Sequence, residues 1–199
     1  MRLYSHVVAR DYAFAPNPFH GFCTLATCKP QIRRTAQVGD LILGTGSSTK
    51  GRGGYLVFVM RVTEAMSFEE YWLDPRFAPK RPNLQGSAKQ AFGDNIYHRD
   101  TDGNWVQENS HHSFHDGTAN PENVSHDTGV DRVLISDQFT YWGGQGPEIP
   151  TRFRDADGAD VCVGRQGHKC KFPDDLVQAF LAWVQGLGTV GYAGRPQDW

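Results

Sequence analysis

Five of the chain's eight histidines fall within residues 92–126, a stretch whose core reads FGDNIYHRDTDGNWVQENSHHSFHDG. His98, His111, His112, His115 and His126 stand there among Asp94, Asn95, Asp100, Asp116, Asp127, Tyr97 and Trp105. Imidazole is the side chain whose ordinary pKa suits proton transfer near neutral pH. Carboxamides beside flat aromatic rings are what a nucleobase requires, an edge to hydrogen-bond and a face to stack on. The stretch has little apolar periodicity, so core building does not account for it. A long polar segment of this kind is where a fold carries binding or chemistry.

Two uses of these residues fit their types. In a binding site, Asp94, Asn95, Tyr97, His98 and His112 line a pocket, with Trp105 or Trp142 as its stacking wall. In an enzyme, His98 or His111 acts as general acid and base, oriented by Asp94 or Asp116. A metal triad from His111, His112 and His115 is weaker, because only a helix puts His111 and His115 on one face and the intervening Ser and Phe do not announce one. Cys162, His168 and Cys170 form a second set that lacks a fourth ligand, the basis of a zinc-stabilised interaction module as a further alternative. Cys23 and Cys28 are spaced too widely for a two-residue zinc knuckle and read as small buried hydrophobes. No resident metal and no cofactor is expected.

Cations that could hold a phosphate backbone occur in two places. The loop 44–54, GTGSSTKGRGG, offers backbone amides with Lys50 and Arg52, although it lacks phosphate-loop spacing and leads into a strand; a flexible hairpin is the plainer reading. The segment 22–34, FCTLATCKPQIRR, presents Lys29, Arg33 and Arg34, which serve equally as an ordinary solvated face. Serine nucleophile elbows, dinucleotide fingerprints and His-Glu-x-x-His helices are all missing from the sequence.

The elements that must position these groups are mostly strands. At 199 residues, with 39% hydrophobic and 21% charged side chains, the chain reads as one globular domain over 1–199. A net charge of -2 excludes a strongly basic coat for nucleic acid, though not a local basic patch. The opening residues lack an apolar signal core and no run approaches membrane-spanning length, so a cytoplasmic protein that does not engage membranes is expected, with its four cysteines reduced. Strands are predicted at 2–10, over LILG from Leu41, over GYLVFVMRV from Gly54, at 132–136 and at 139–142. Ser67 and Glu70 have capping-box spacing for a short helix that stops before Pro75. The stripe Leu176, Val177, Phe180, Leu181, Val184 predicts a helix within 172–188. A hairpin is expected across Asp102-Gly103. With no βαβ rhythm, these elements give an α+β or small mixed-barrel architecture.

Four words of the sequence, NPFHGFCTLATCKPQIR, VGDLILGTGS, FGDNIYH and YWGGQGPEIP, resemble the second type of nucleotide-modification-associated domain, specifically over about residues 1–150. The passage from Val38-Gly39-Asp40 through LILGTG to GYLVFVMRVTEA is more distantly similar to PUA-like barrels such as the ASCH and EVE domains. The resemblance implies an α+β fold built on a small mixed β-barrel (PUA-like), to which this sequence adds peripheral helices and a long polar insertion that the barrel comparison does not supply. It implies a bacterial or phage setting among base-modification genes, and nucleotide or nucleic acid as partner. The expected function is recognition of a modified base in a groove beside the barrel; the alternative is a base-modifying transferase or hydrolase using a histidine.

Overall fold

A computed structural model of the chain describes residues 1–155, 158–164 and 167–199. The strands are β1 (Leu3–Val8), β2 (Cys23–Leu25), β3 (Leu41–Gly46), β4 (Leu56–Arg61), β5 (Glu64–Met66), β6 (Tyr97–Arg99), β7 (Trp105–Gln107), β8 (Val133–Ser136), β9 (Gln138–Tyr141), β10 (His168–Lys169) and β11 (Gly191–Tyr192). The α-helices are α1 (Pro30–Thr35), α2 (Phe68–Leu73), α3 (Ala88–Ala91), α4 (Pro121–Thr128) and α5 (Asp174–Gly186). They sort into two compact units.

The first unit comprises Met1–Asp11, Ala36–Val62 and Gln138–Trp199. Its sheet runs β10-β1-β3-β4-β9-β11, with β1 and β3 parallel, β9 and β11 parallel, and the other pairs antiparallel. The apolar run of β4 lies at the centre and is buried along nearly its whole length, as its lack of polar alternation requires. Gly44 is needed where β3 passes β4, because a Cβ there would meet the Phe58 ring at 2.2 Å; the register shifts just after it. Helix α5 places Leu176, Val177, Phe180 and Val184 in a core with Leu3, Leu43, Val59, Trp142 and Phe153. Asp174 begins this helix rather than capping it; Pro173 occupies the cap position, and Asp175 accepts from the Leu176 N–H.

The second unit comprises Tyr12–Thr35 and Thr63–Asp137. β8 is the middle of a three-stranded antiparallel sheet, flanked by β2 and β5. β6 and β7 form the hairpin expected across Asp102-Gly103, with Gly103 at φ 83°. The capping box at Ser67 and Glu70 is made from both sides. Phe14, Phe68, Tyr71, Phe77, Ile96 and Ile135 fill the core of this unit.

The architecture is therefore mixed α+β, and the expected closed barrel is not found among the described residues. The described strands form three separate sheets and none closes on itself. The stretch 92–126 is not a structureless insertion either: it carries the β6–β7 hairpin and α4, with Asn120 capping the helix through the Glu122 and Asn123 amides and Pro121 at its first turn. Among the described residues no helix is long and apolar enough to cross a membrane.

Candidate functional site

The strand β2 ends at Leu25, and two residues later the chain turns sharply into α1. Pro30 opens that helix, a position where its missing N–H costs nothing. The turn is made by Cys28 and Lys29, which have φ of 58° and 45°. Left-handed backbone at two consecutive residues bearing a Cβ costs about 1 kcal/mol or more each and persists only where surrounding contacts impose it. Those contacts are visible. The Cys28 N–H donates to Asp127 Oδ1 at 2.7 Å, and Arg33 Nε donates to the Cys28 carbonyl at 2.9 Å.

The turn presents the half-buried Cys28 side chain to His112, with Sγ and Nε2 3.7 Å apart. The other ring nitrogen, Nδ1, lies 2.9 Å from Asp127 Oδ2. Asp127 is fully buried in α4, whereas 15% of the His112 side chain is exposed. Cysteine, imidazole and carboxylate thus stand in line. The carboxylate also accepts from Tyr97 Oη at 3.0 Å, and Gln107 donates in turn to Tyr97 Oη at 3.0 Å. Asn123 Nδ2 holds the His112 carbonyl at 2.8 Å, and the Phe14 ring packs 4.6 Å from the imidazole. Burial by itself would lower the His112 pKa; its hydrogen bonds to Asp127 and Cys28 outweigh burial and raise it to about 9. With Nδ1–H given to Asp127, Nε2 is the nitrogen that exchanges a proton with the sulfur.

Arg33 anchors the assembly. It is wholly buried, and its guanidinium donates to the carbonyls of Cys28, Asp127, Val130 and Arg132. Its charge therefore braces the loop before α1 against the C-terminal end of α4, and is not presented to a phosphate.

The other expected residues fall in several places. Lys29 is half-buried beside Cys28, while Arg34 is exposed on α1. Lys50 and Arg52 belong to the first unit: Lys50 pairs with Asp198 at 2.8 Å, and Arg52 bonds the Gly146 carbonyl and lies over the Tyr55 ring. Trp142 is a core residue of that same unit, 6% exposed. Trp105 packs edge-on against Phe68 and lies beneath Arg99. His98 stacks on Trp72 at 4.1 Å and bonds Glu108 at 2.8 Å. Asp94 is not its partner; it is buried and accepts from Thr24 Oγ1 and Tyr71 Oη. Asn95, also buried, donates to the Tyr71 and Phe77 carbonyls. Asp116 is exposed and accepts from Thr118 within its own turn. His111 is exposed and lies against the rings of Tyr12, Phe14 and Phe92.

Of the residues singled out by type, the structure brings together Tyr97, His112 and Lys29. It adds Cys28 and Asp127, which sequence reasoning did not place in the site. Their one local signal is a cysteine directly ahead of Lys-Pro where a strand gives way to a helix. Among the described residues no three His, Cys, Asp or Glu side chains form a metal-holding group.

Over residues 1–199 the chain matches the family model described as nucleotide modification associated domain 2. It belongs to that family. No curated protein matches the chain, and no solved structure does. The family description joins this chain to nucleotide modification in general terms.

Proposed function

We propose that this member of the nucleotide modification associated domain 2 family is an enzyme that works through a covalent cysteine intermediate, with Cys28 as nucleophile, His112 as general base and acid, and Asp127 orienting His112. The observation that carries the reading is the unbroken line of contacts from Cys28 Sγ through His112 to the buried Asp127 carboxylate. Nucleophile, base and orienting group at hydrogen-bonding reach define nucleophilic catalysis on unrelated folds, whatever the order of the residues in sequence. The strained backbone at Cys28 and Lys29 supports it too, since such strain gathers at reacting positions.

The chemistry that suits the trio is acyl or carbamoyl transfer to or from a nucleotide. His112, whose raised pKa favours the imidazolium, takes the Cys28 proton on Nε2 before the attack, and Cys28 Sγ then adds to a carbonyl carbon. The bond from that carbon to the leaving nitrogen or oxygen breaks, and His112 returns the proton to the leaving group. Water or an amine on the base then attacks the thioester, gives its proton to His112, and frees the Cys28 sulfur. Asp127 keeps the imidazole in the one tautomer that can do this. A role limited to base recognition is less well supported, because Asn95 and Tyr97 direct their donor groups to protein acceptors.

The test is p-nitrophenyl acetate with peptide mass spectrometry. A burst of p-nitrophenolate, with acetyl located on Cys28 and absent from Cys28→Ala, is expected. Acetyl found on lysines alone, with no burst, contradicts the proposal.

A further inference from the structure

A cysteine that attacks a carbonyl needs a donor for the oxygen that becomes negative, and this site closes off the most obvious one. The nucleophile's own N–H is engaged by Asp127 Oδ1 at 2.7 Å. Residue 30 is proline and has none. Arg33, the nearest guanidinium, is held by four carbonyls.

What remains is Lys29. It sits on the left-handed turn immediately after Cys28, half-buried, with its ammonium near enough to the sulfur to interact with it electrostatically. The described residues give this ammonium no carboxylate or carbonyl partner, and its backbone N–H no acceptor. Half-buried with only the Cys28 sulfur beside it to offset burial, the ammonium has its pKa lowered. Such a group is one that a developing negative charge stabilises. The turn that aims Cys28 at His112 also fixes where Lys29 emerges.

We infer that Lys29 is a catalytic residue of this site, its ammonium and backbone N–H receiving the oxyanion formed when Cys28 adds to a substrate carbonyl. The inference rests on the proposed role of Cys28. It assigns the substrate class as a carbonyl compound able to form a tetrahedral adduct, an amide, ester or carbamoyl donor, rather than an alkyl donor attacked at saturated carbon.

Two probes of Cys28 separate these cases. p-Nitrophenyl acetate passes through an oxyanion; iodoacetamide is displaced at saturated carbon and does not. Lys29→Met keeps the apolar stem and removes the charge. Its acetylation of Cys28 should slow by about 30- to 100-fold, its alkylation by less than about 3-fold, and Lys29→Arg should recover part of the acetylation rate. Equal slowing of both reactions in Lys29→Met, or no slowing of either, overturns the assignment of Lys29. His112→Ala distinguishes the two readings: it should slow both probes, and if it slows neither the role of Cys28 falls and that of Lys29 with it. If His112→Ala slows both while Lys29→Met acetylates at the normal rate, only Lys29 is wrong.

Discussion

At the scale of single residues, His112 holds together the chemical and the pH behaviour of the site. Its pKa in the folded chain is about 9, against 6.5 for a free imidazole. A base whose folded value is raised adds stability that is complete below pH 6.5 and lost as pH rises through 9. Lys80 acts in the opposite sense, because burial lowers its value to about 8 and so makes stability rise between pH 8 and 10.5. In urea unfolding, the stability advantage of wild type over His112→Asn should shrink by about 3 kcal/mol from pH 6 to pH 9.5. A difference that stays flat with pH would detach the imidazole from Asp127. The types of these residues were legible in the sequence, but their partners were not. Cys28 and His112 are 84 positions apart, and Cys28 and Asp127 are 99 apart. Only the folded chain matches them, so an inventory by proximity paired histidines with Asp94 and Asp116 instead.

At the scale of elements, the site depends on a hairpin announced by its Asp102-Gly103 turn and on two short helices that the sequence announces poorly. α1 has six residues and α4 has eight, too short for a convincing apolar stripe. What holds them is buried polar bonding, which hydrophobic periodicity does not register. Arg33 is the main brace. Arg33→Met should cost about 3 kcal/mol in urea unfolding, because it strands the carbonyls of Cys28, Asp127, Val130 and Arg132, and it should also lower Cys28 reactivity. Lys80 does similar work in the same unit, its ammonium donating to the Asn17 and Phe22 carbonyls, Asn17 Oδ1 and Thr24 Oγ1. Lys80→Ala should destabilise by about 3 kcal/mol while leaving the rate at Cys28 in the surviving folded protein within about 3-fold of wild type. The elements that could be read ahead, β1, β3, β4, β8, β9, α5, the β6–β7 hairpin and the capping box of α2, are those marked by apolar runs, local caps or a tight turn.

At the scale of the molecule, the two compact units divide the functions that the sequence had pooled. Trp142, Lys50 and Arg52 lie in the first; the Cys28 turn, the hairpin and α4 lie in the second. Trp142 is part of the first unit's core, so Trp142→Ala should cost about 3 to 5 kcal/mol in thermal or chemical unfolding. Lys50→Ala removes a partly exposed ion pair and should change stability by less than about 1 kcal/mol. The expected barrel is not found among the described strands, and barrel closure is hard to read from sequence for a plain reason. Strand count and apolar runs are legible along a chain, whereas pairing order and closure depend on contacts between distant segments, here β1 with β3 and β9 with β11 in parallel.

If Cys28, His112 and Asp127 act as one unit, the second-order rate constant for iodoacetamide at Cys28 depends on all three side chains. Measured at pH 7 by peptide mass spectrometry, Cys28 should react well ahead of Cys23 and Cys162, which burial protects and whose pKa values it raises. His112→Asn and Asp127→Asn should each lower the Cys28 rate by about ten-fold or more. A Cys28 rate that is unchanged in both variants, or no faster than that of the buried cysteines, would contradict the account.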